Sequence, residues 1–122
     1  MIYVKIFILF TGLLCFYSCG NRENNKMIVG TWTGKEWLVN GNPSNRNVTE
    51  THFTFDDKGN YTYTYSGTKE NGTYKVENDM LFTKPGDQQE IMVKIKKLSA
   101  DTLIFDMNRG GQTELLTLLR DK

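Results

Sequence analysis

Histidine and cysteine are nearly absent from this chain: its 122 residues hold one histidine, His52, and two cysteines, Cys15 and Cys19. Beyond residue 19 no thiol remains, which excludes a disulfide and a thiolate metal site there. A lone histidine without histidine or cysteine partners is seldom a metal ligand, and no nucleophile–base pair or carboxylate pair stands out. The expectation is a protein that is not an enzyme and carries no cofactor. A surplus of one charge is missing as well. Lys5 is the only charged side chain among residues 1–18, and the rest of the chain carries 14 basic and 14 acidic residues. Without a basic stripe there is nothing to hold a polyanion, so nucleic acid is not expected as a partner. Long apolar runs are scarce too. The one that stands out, from Ile6 to Tyr17, is shorter than the ~20 residues a membrane-spanning helix needs.

What is present at the start is Lys5, that short apolar run, and then Ser18-Cys19-Gly20, the layout of a secretory signal with a small residue before the cut. Phe16-Tyr17-Ser18-Cys19 resembles the bacterial lipobox, in which the cysteine thiol is alkylated by diacylglycerol and the peptide is cut before it. The resemblance implies a signal peptide over residues 1–18, a lipid on Cys19, and a protein held through that lipid at a membrane of the bacterial cell envelope, the outer membrane. The same residues also fit an ordinary signal or short anchor in which Cys19 is incidental. From Gly20 to Lys26 the chain is polar and without periodicity, so residues 19–27 are expected to be the lipidated cysteine and a flexible tether, and residues 28–122 a single small domain.

From Met27 onward the pattern has a period of two, broken by turn residues every eight to twelve positions, as in an all-β sandwich or barrel. Thr51 to Phe55 alternates, Asp56 to Asn60 turns, and Tyr61 to Tyr65 alternates again. With Gly59 in the left-handed conformation, Phe55 faces Tyr61 and Phe53 faces Tyr63. A second hairpin turns at Asn78-Asp79 and places Tyr74, Val76 and Leu81 on one face. Further strands follow around Ile91, Val93 and Ile95, from Thr102 to Asp106, and from Thr113 to Arg120. With an opening strand from Thr31 to Val39, the count is about eight in up-and-down order. Closure into a barrel would remove the two exposed edges of such a meander, while an open β-sandwich stays possible on period and turns alone.

Four pieces, in order, resemble the bacterial lipocalin-like domain family found in lipoproteins of Bacteroidota. They are Gly30-Thr31-Trp32, the hairpin from Phe55 to Tyr61 around Gly59, Gly72-Thr73-Tyr74 with Leu81, and Asp101-Thr102-Leu103. The resemblance implies an eight-stranded lipocalin-like barrel whose first-strand tryptophan packs at the closed end against an arginine from near the last strand. Carried onto this sequence, those residues are Trp32 and Arg120, in a structural role.

The candidate binding surface is the aromatic face of Phe53, Phe55, Tyr61, Tyr63 and Tyr65, with Trp37 and Tyr74 nearby. Such a face suits a small hydrophobic or amphipathic ligand, with tyrosine hydroxyls as polar contacts. The alternative is that the rings fill the barrel, since an eight-stranded barrel is just wide enough for side chains or one small ligand. In that case the protein would act as an interaction or inhibitor module towards another envelope protein. Met80, Phe82, Met92, Leu116 and Leu118 give some apolar character to a second face, either a docking surface or more of the same core. Asp101-Thr102-Leu103 also resembles the short O-glycosylation acceptor of Bacteroidota, which would put a sugar on Thr102.

Overall fold

The computed structural model describes residues 24–122; the expected signal peptide and the lipid site at Cys19 lie outside them. Nine strands follow in chain order: β1 Gly30–Val39, β2 Asn42–Pro43, β3 Thr51–Phe55, β4 Asn60–Tyr65, β5 Thr68–Glu77, β6 Met80–Pro85, β7 Ile91–Leu98, β8 Thr102–Arg109 and β9 Gln112–Arg120. A 3-10 turn, Val48–Glu50, precedes β3. Every long strand pairs antiparallel with the next, and β9 returns to β1 from Trp32↔Arg120 to Val39↔Glu114. That last ladder closes an eight-stranded barrel, with the two-residue β2 as a flap on β1, and it rules out the open sandwich. Among the described residues no helix is long and apolar enough to cross a membrane.

The turns follow from residues that tolerate positive φ. Asn40-Gly41, Ser66-Gly67 and Gly110-Gly111 each have both residues in the left-handed region. This is the backbone of two-residue hairpins whose twist matches their strands. Gly59 adopts φ 87°, and the register is Phe55↔Tyr61 and Phe53↔Tyr63, as the alternation predicts. Asn78 takes φ 56°, and Val76 stands opposite Leu81.

Two departures from simple alternation shape the interior. Between Gly34 and Glu36 the β1–β9 register shifts, so that Trp32 and Trp37 both face inward although five positions separate them. At Gly34 the Val48 carbonyl crosses so closely that a Cβ would sit 2.1 Å from its oxygen, which is why the strand carries glycine there. The β7–β8 register shifts in the same way between Ile95 and Lys97.

The start of the domain differs from the sequence expectation. Residues 24–28, read there mostly as tether, form a helical turn laid on the barrel. Asn25 donates its side-chain amide to the Val76 carbonyl at 2.8 Å and accepts from the Val76 N–H at 3.0 Å. Ile28 is fully buried as the plug of that end. The sequence allows a short turn from Lys26 to Val29 but not its docking, which is done by polar asparagine amides meeting a strand.

Candidate functional site

The barrel has a filled end and a hollow one. At the filled end Trp32 donates its indole N–H to the Ile28 carbonyl at 2.9 Å, and the Arg120 guanidinium lies 4.3 Å over its ring. Arg120 also donates to the carbonyls of Val29 and Ala100 at 2.6 Å each and of Met27 at 2.5 Å. One side chain thereby ties the entering segment, the first strand and the β7–β8 turn together. Above this pair Phe55 meets Tyr74 edge-on at 4.9 Å, and the Tyr74 hydroxyl donates to the Asp56 carbonyl at 2.5 Å. The Tyr61 hydroxyl donates to Glu70 Oε2 at 2.7 Å. Burial first, and then Glu70, push the Tyr61 hydroxyl well above the ordinary tyrosine range. Burial likewise raises Tyr74, helped by Asp56 and Asp57.

At the other end a cup of about 310 Å³ opens between β6, β7, β8 and the facing strands. Its back wall is aromatic: Trp37, Phe53, Tyr63 and Phe105. Phe53 packs 4.7 Å from Tyr63 and meets Phe105 edge-on at 5.5 Å. Leu81, Met107 and Leu116 line the rest of the apolar surface, and Ile91 and Met92 stand on the rim, 50% and 59% exposed. Polar groups are few. Glu70 and Thr83 contribute from the β5–β6 side, and Asp106, Asn108 and Arg109 from the end of β8. The volume is at the lower limit of pockets that take drug-sized ligands, and far above the water-sized voids of an ordinary core.

The aromatic face expected from the sequence therefore divides. Trp37, Phe53 and Tyr63 border the cup. Phe55, Tyr61 and Tyr74 are core residues below it, with their ring edges and hydroxyls engaged by one another, Glu70 and Asp56. Tyr65 does not border the cup. Its hydroxyl accepts the Asn47 N–H at 3.3 Å and its ring stands 6.5 Å from Trp37, so it holds the loop that precedes β3. The division has a simple cause: strands paired in up-and-down order carry successive inward residues from one end of the barrel to the other.

Sequence reasoning missed Phe105, Leu116 and Glu70 as cup residues, and Glu114 beside them. Leu116 and Leu118, read as part of a second apolar face, are core residues on the inward side of β9. Met92 is exposed, while Phe82 is half-covered by Lys75, whose ammonium lies 5.2 Å over the ring. Glu114 is 4% exposed and accepts the Trp37 indole N–H at 2.8 Å. Its signal was available in the alternation of Thr113 to Arg120, which puts positions 114, 116 and 118 on one face.

His52 lies on the outer face of β3, with Nδ1 3.0 Å from the Thr33 hydroxyl. That hydroxyl spends its proton on Asp121 at 2.6 Å, so the histidine Nδ1 is the donor to Thr33. Among the described residues no group of histidine, cysteine or carboxylate side chains is arranged to hold a metal ion.

A small antiparallel barrel, plugged at one end by a tryptophan–arginine pair and hollow at the other, is the architecture of the lipocalin-like class. The chain belongs to the lipocalin-like domain family, whose model matches residues 28–105. Its fold is shared by a lipocalin-like protein from Bacteroides uniformis, with a TM-score of 0.57 at 14% identity over 79% of this chain and 99% of that one. An uncharacterised protein from Bacteroides eggerthii is similar to the same degree: TM-score 0.59, 16% identity, 77% of this chain and 99% of that one. No curated protein matches the sequence significantly.

Proposed function

We propose that this domain binds a small hydrophobic or amphipathic molecule in the cup, and that it works as a non-enzymatic, lipid-anchored protein of the bacterial cell envelope. The observation that carries the binding reading is the unfilled space itself. Four aromatic rings and six other apolar side chains border about 310 Å³ in a barrel that could have been filled, as its other end is. Anchoring rests on the sequence of residues 1–19 and on the position of the domain's start. Residue 24 lies at the filled end, so a lipid on Cys19 would hold that end towards the membrane and leave the cup's mouth facing away from it.

Native mass spectrometry of the processed protein purified from its own host tests the first part. A co-purifying small molecule, lost on substitution of cup residues, is the expected result; a bare protein that also ignores added apolar probes contradicts it. Metabolic labelling with a fatty-acid analogue tests the second, and equal labelling of a Cys19→Ser variant would reject the anchor.

A second reading, docking of an envelope protein, is favoured by the exposed Ile91 and Met92. Because both side chains stand on the rim of the cup, such a partner would cover the mouth.

A further inference from the structure

We propose that the molecule taken by the cup is an organic cation, a protonated amine or quaternary ammonium group carried on an apolar body. The inference rests on the cup being a binding site and adds the charge of its ligand. Three features support it.

The first is an inward-facing carboxylate. Glu70 borders the cup, half-buried, and is oriented by the Tyr61 hydroxyl on Oε2. A second carboxylate, Glu114, is buried beside the same wall and oriented by the Trp37 indole. Among the described residues the one ion pair is Lys75–Glu77 on the outer surface, so neither inward glutamate is neutralised by a lysine or arginine. Both receive a hydrogen bond from a neutral aromatic donor, which fixes the side chain without supplying a positive partner.

The second is the wall. Trp37, Phe53, Tyr63 and Phe105 present aromatic rings around the space, and the negative faces of such rings attract cations, most strongly when water is excluded. A carboxylate accepting the indole N–H of Trp37 makes that ring richer in electrons and a better partner.

The third is that the chain already puts a cation on this wall. Arg46, from the segment between β2 and the 3-10 turn, holds its guanidinium 4.5 Å over the Trp37 ring. Trp37 therefore accepts positive charge on its face. Arg109, the cation bordering the cup itself, is exposed at the end of β8. Arg46 is exposed as well, and in contact with solvent the fields of both arginines are screened more strongly than that of the half-buried Glu70, which gives the inside its negative sign.

The test uses three amphiphiles with one apolar body and three head groups: decylammonium, 1-decanol and decanoate, each displacing the neutral fluorophore N-phenyl-1-naphthylamine from the processed protein at neutral pH. Decylammonium should displace the dye at about tenfold lower concentration than decanol, and decanoate should be the weakest. Glu70→Gln keeps an acceptor for the Tyr61 hydroxyl, so the ratio of decanol to decylammonium needed for displacement should fall from about tenfold towards one. Equal displacement by the amine and the alcohol, a preference for decanoate, or an amine advantage that survives Glu70→Gln overturns the charge assignment and leaves the cup as a binding site. Failure of the dye and of all three amphiphiles to bind overturns the cup reading as well.

Discussion

Phe53 and Phe55 sit two residues apart on the same face of one strand, with rings stacked 5.7 Å from each other, yet they belong to different ends of the molecule. Phe55 is 1% exposed and enclosed by Tyr61 and Tyr74. Phe53 is half-buried and turns part of its ring to the cup. The barrel is thus built in two layers, one packed like any protein interior and one left unfinished. Stability is concentrated in the first and the capacity to bind in the second. The same chain segment supplies both because a strand crosses the barrel from end to end.

The largest effect that tests this division is a matched pair of truncations. Phe55→Ala removes a ring enclosed on all sides, and should cost about 3–5 kcal/mol of unfolding free energy, the range for aromatic truncations in a packed core. Phe53→Ala should cost clearly less, about 1–2 kcal/mol, because part of its ring faces open space already and its loss widens the cup. Urea denaturation of both variants measures the difference; equal losses would mean that the two layers are one core.

A smaller loss is expected at the plug. Arg120→Gln removes the guanidinium from the face of Trp32 and leaves the carbonyls of Met27, Val29 and Ala100 short of donors. It should lower stability by about 2 kcal/mol, from the cation–π contact and the lost charged hydrogen bonds together. Affinity for an apolar probe should stay within about twofold, since the substitution lies at the opposite end from the cup. A large change in affinity with little change in the urea midpoint would reverse the roles of the two ends.

The smallest effect is on the acid side. At the turn that closes the first hairpin, the Asp56 carboxylate is held below the usual range, first by the backbone N–H of Asn60, with Lys58 N–H and the Asn60 side chain adding to it. A carboxylate whose folded value is depressed contributes stability that is fully present above its unfolded value, about 3.9, and is lost as pH falls through the folded value. The wild-type protein should therefore lose more of its urea midpoint between pH 5 and pH 3 than an Asp56→Asn variant, which keeps an acceptor but does not titrate. Identical losses would show that the turn does not sense acid through Asp56.

How far the sequence reached is clear from particular residues. The hairpin from Thr51 to Tyr65 was legible to the register, because a period of two and a glycine at the left-handed position leave one pairing that keeps the aromatic residues on one side. Resemblance to a known family supplied Trp32 and Arg120, whose ring and guanidinium lie together in the fold. Which aromatic residues border the cup could not be read from alternation, since inward-facing at the mouth and inward-facing at the floor look the same in a pattern of period two. Glu114 was passed over because an acidic residue on a strand reads as solvated until its partner, the indole of a tryptophan 77 positions away, is in place. A short turn from Lys26 to Val29 was legible, but its start at residue 24 and its docking were hidden for a related reason: the anchor is an asparagine amide on a strand edge, which leaves no apolar stripe behind.

The two tryptophans offer the most direct test, because each marks one end and each carries a single indole N–H with a distinct acceptor, the Ile28 carbonyl for Trp32 and Glu114 for Trp37. In a nitrogen–proton correlation spectrum of the labelled protein they give two side-chain signals, assigned by Trp37→Phe. On titration with N-phenyl-1-naphthylamine, the Trp37 signal should move and saturate at one equivalent while the Trp32 signal stays in place. Movement of Trp32 to the same extent, or saturation of the dye with no change at Trp37, would contradict a barrel that is filled at one end and binds at the other.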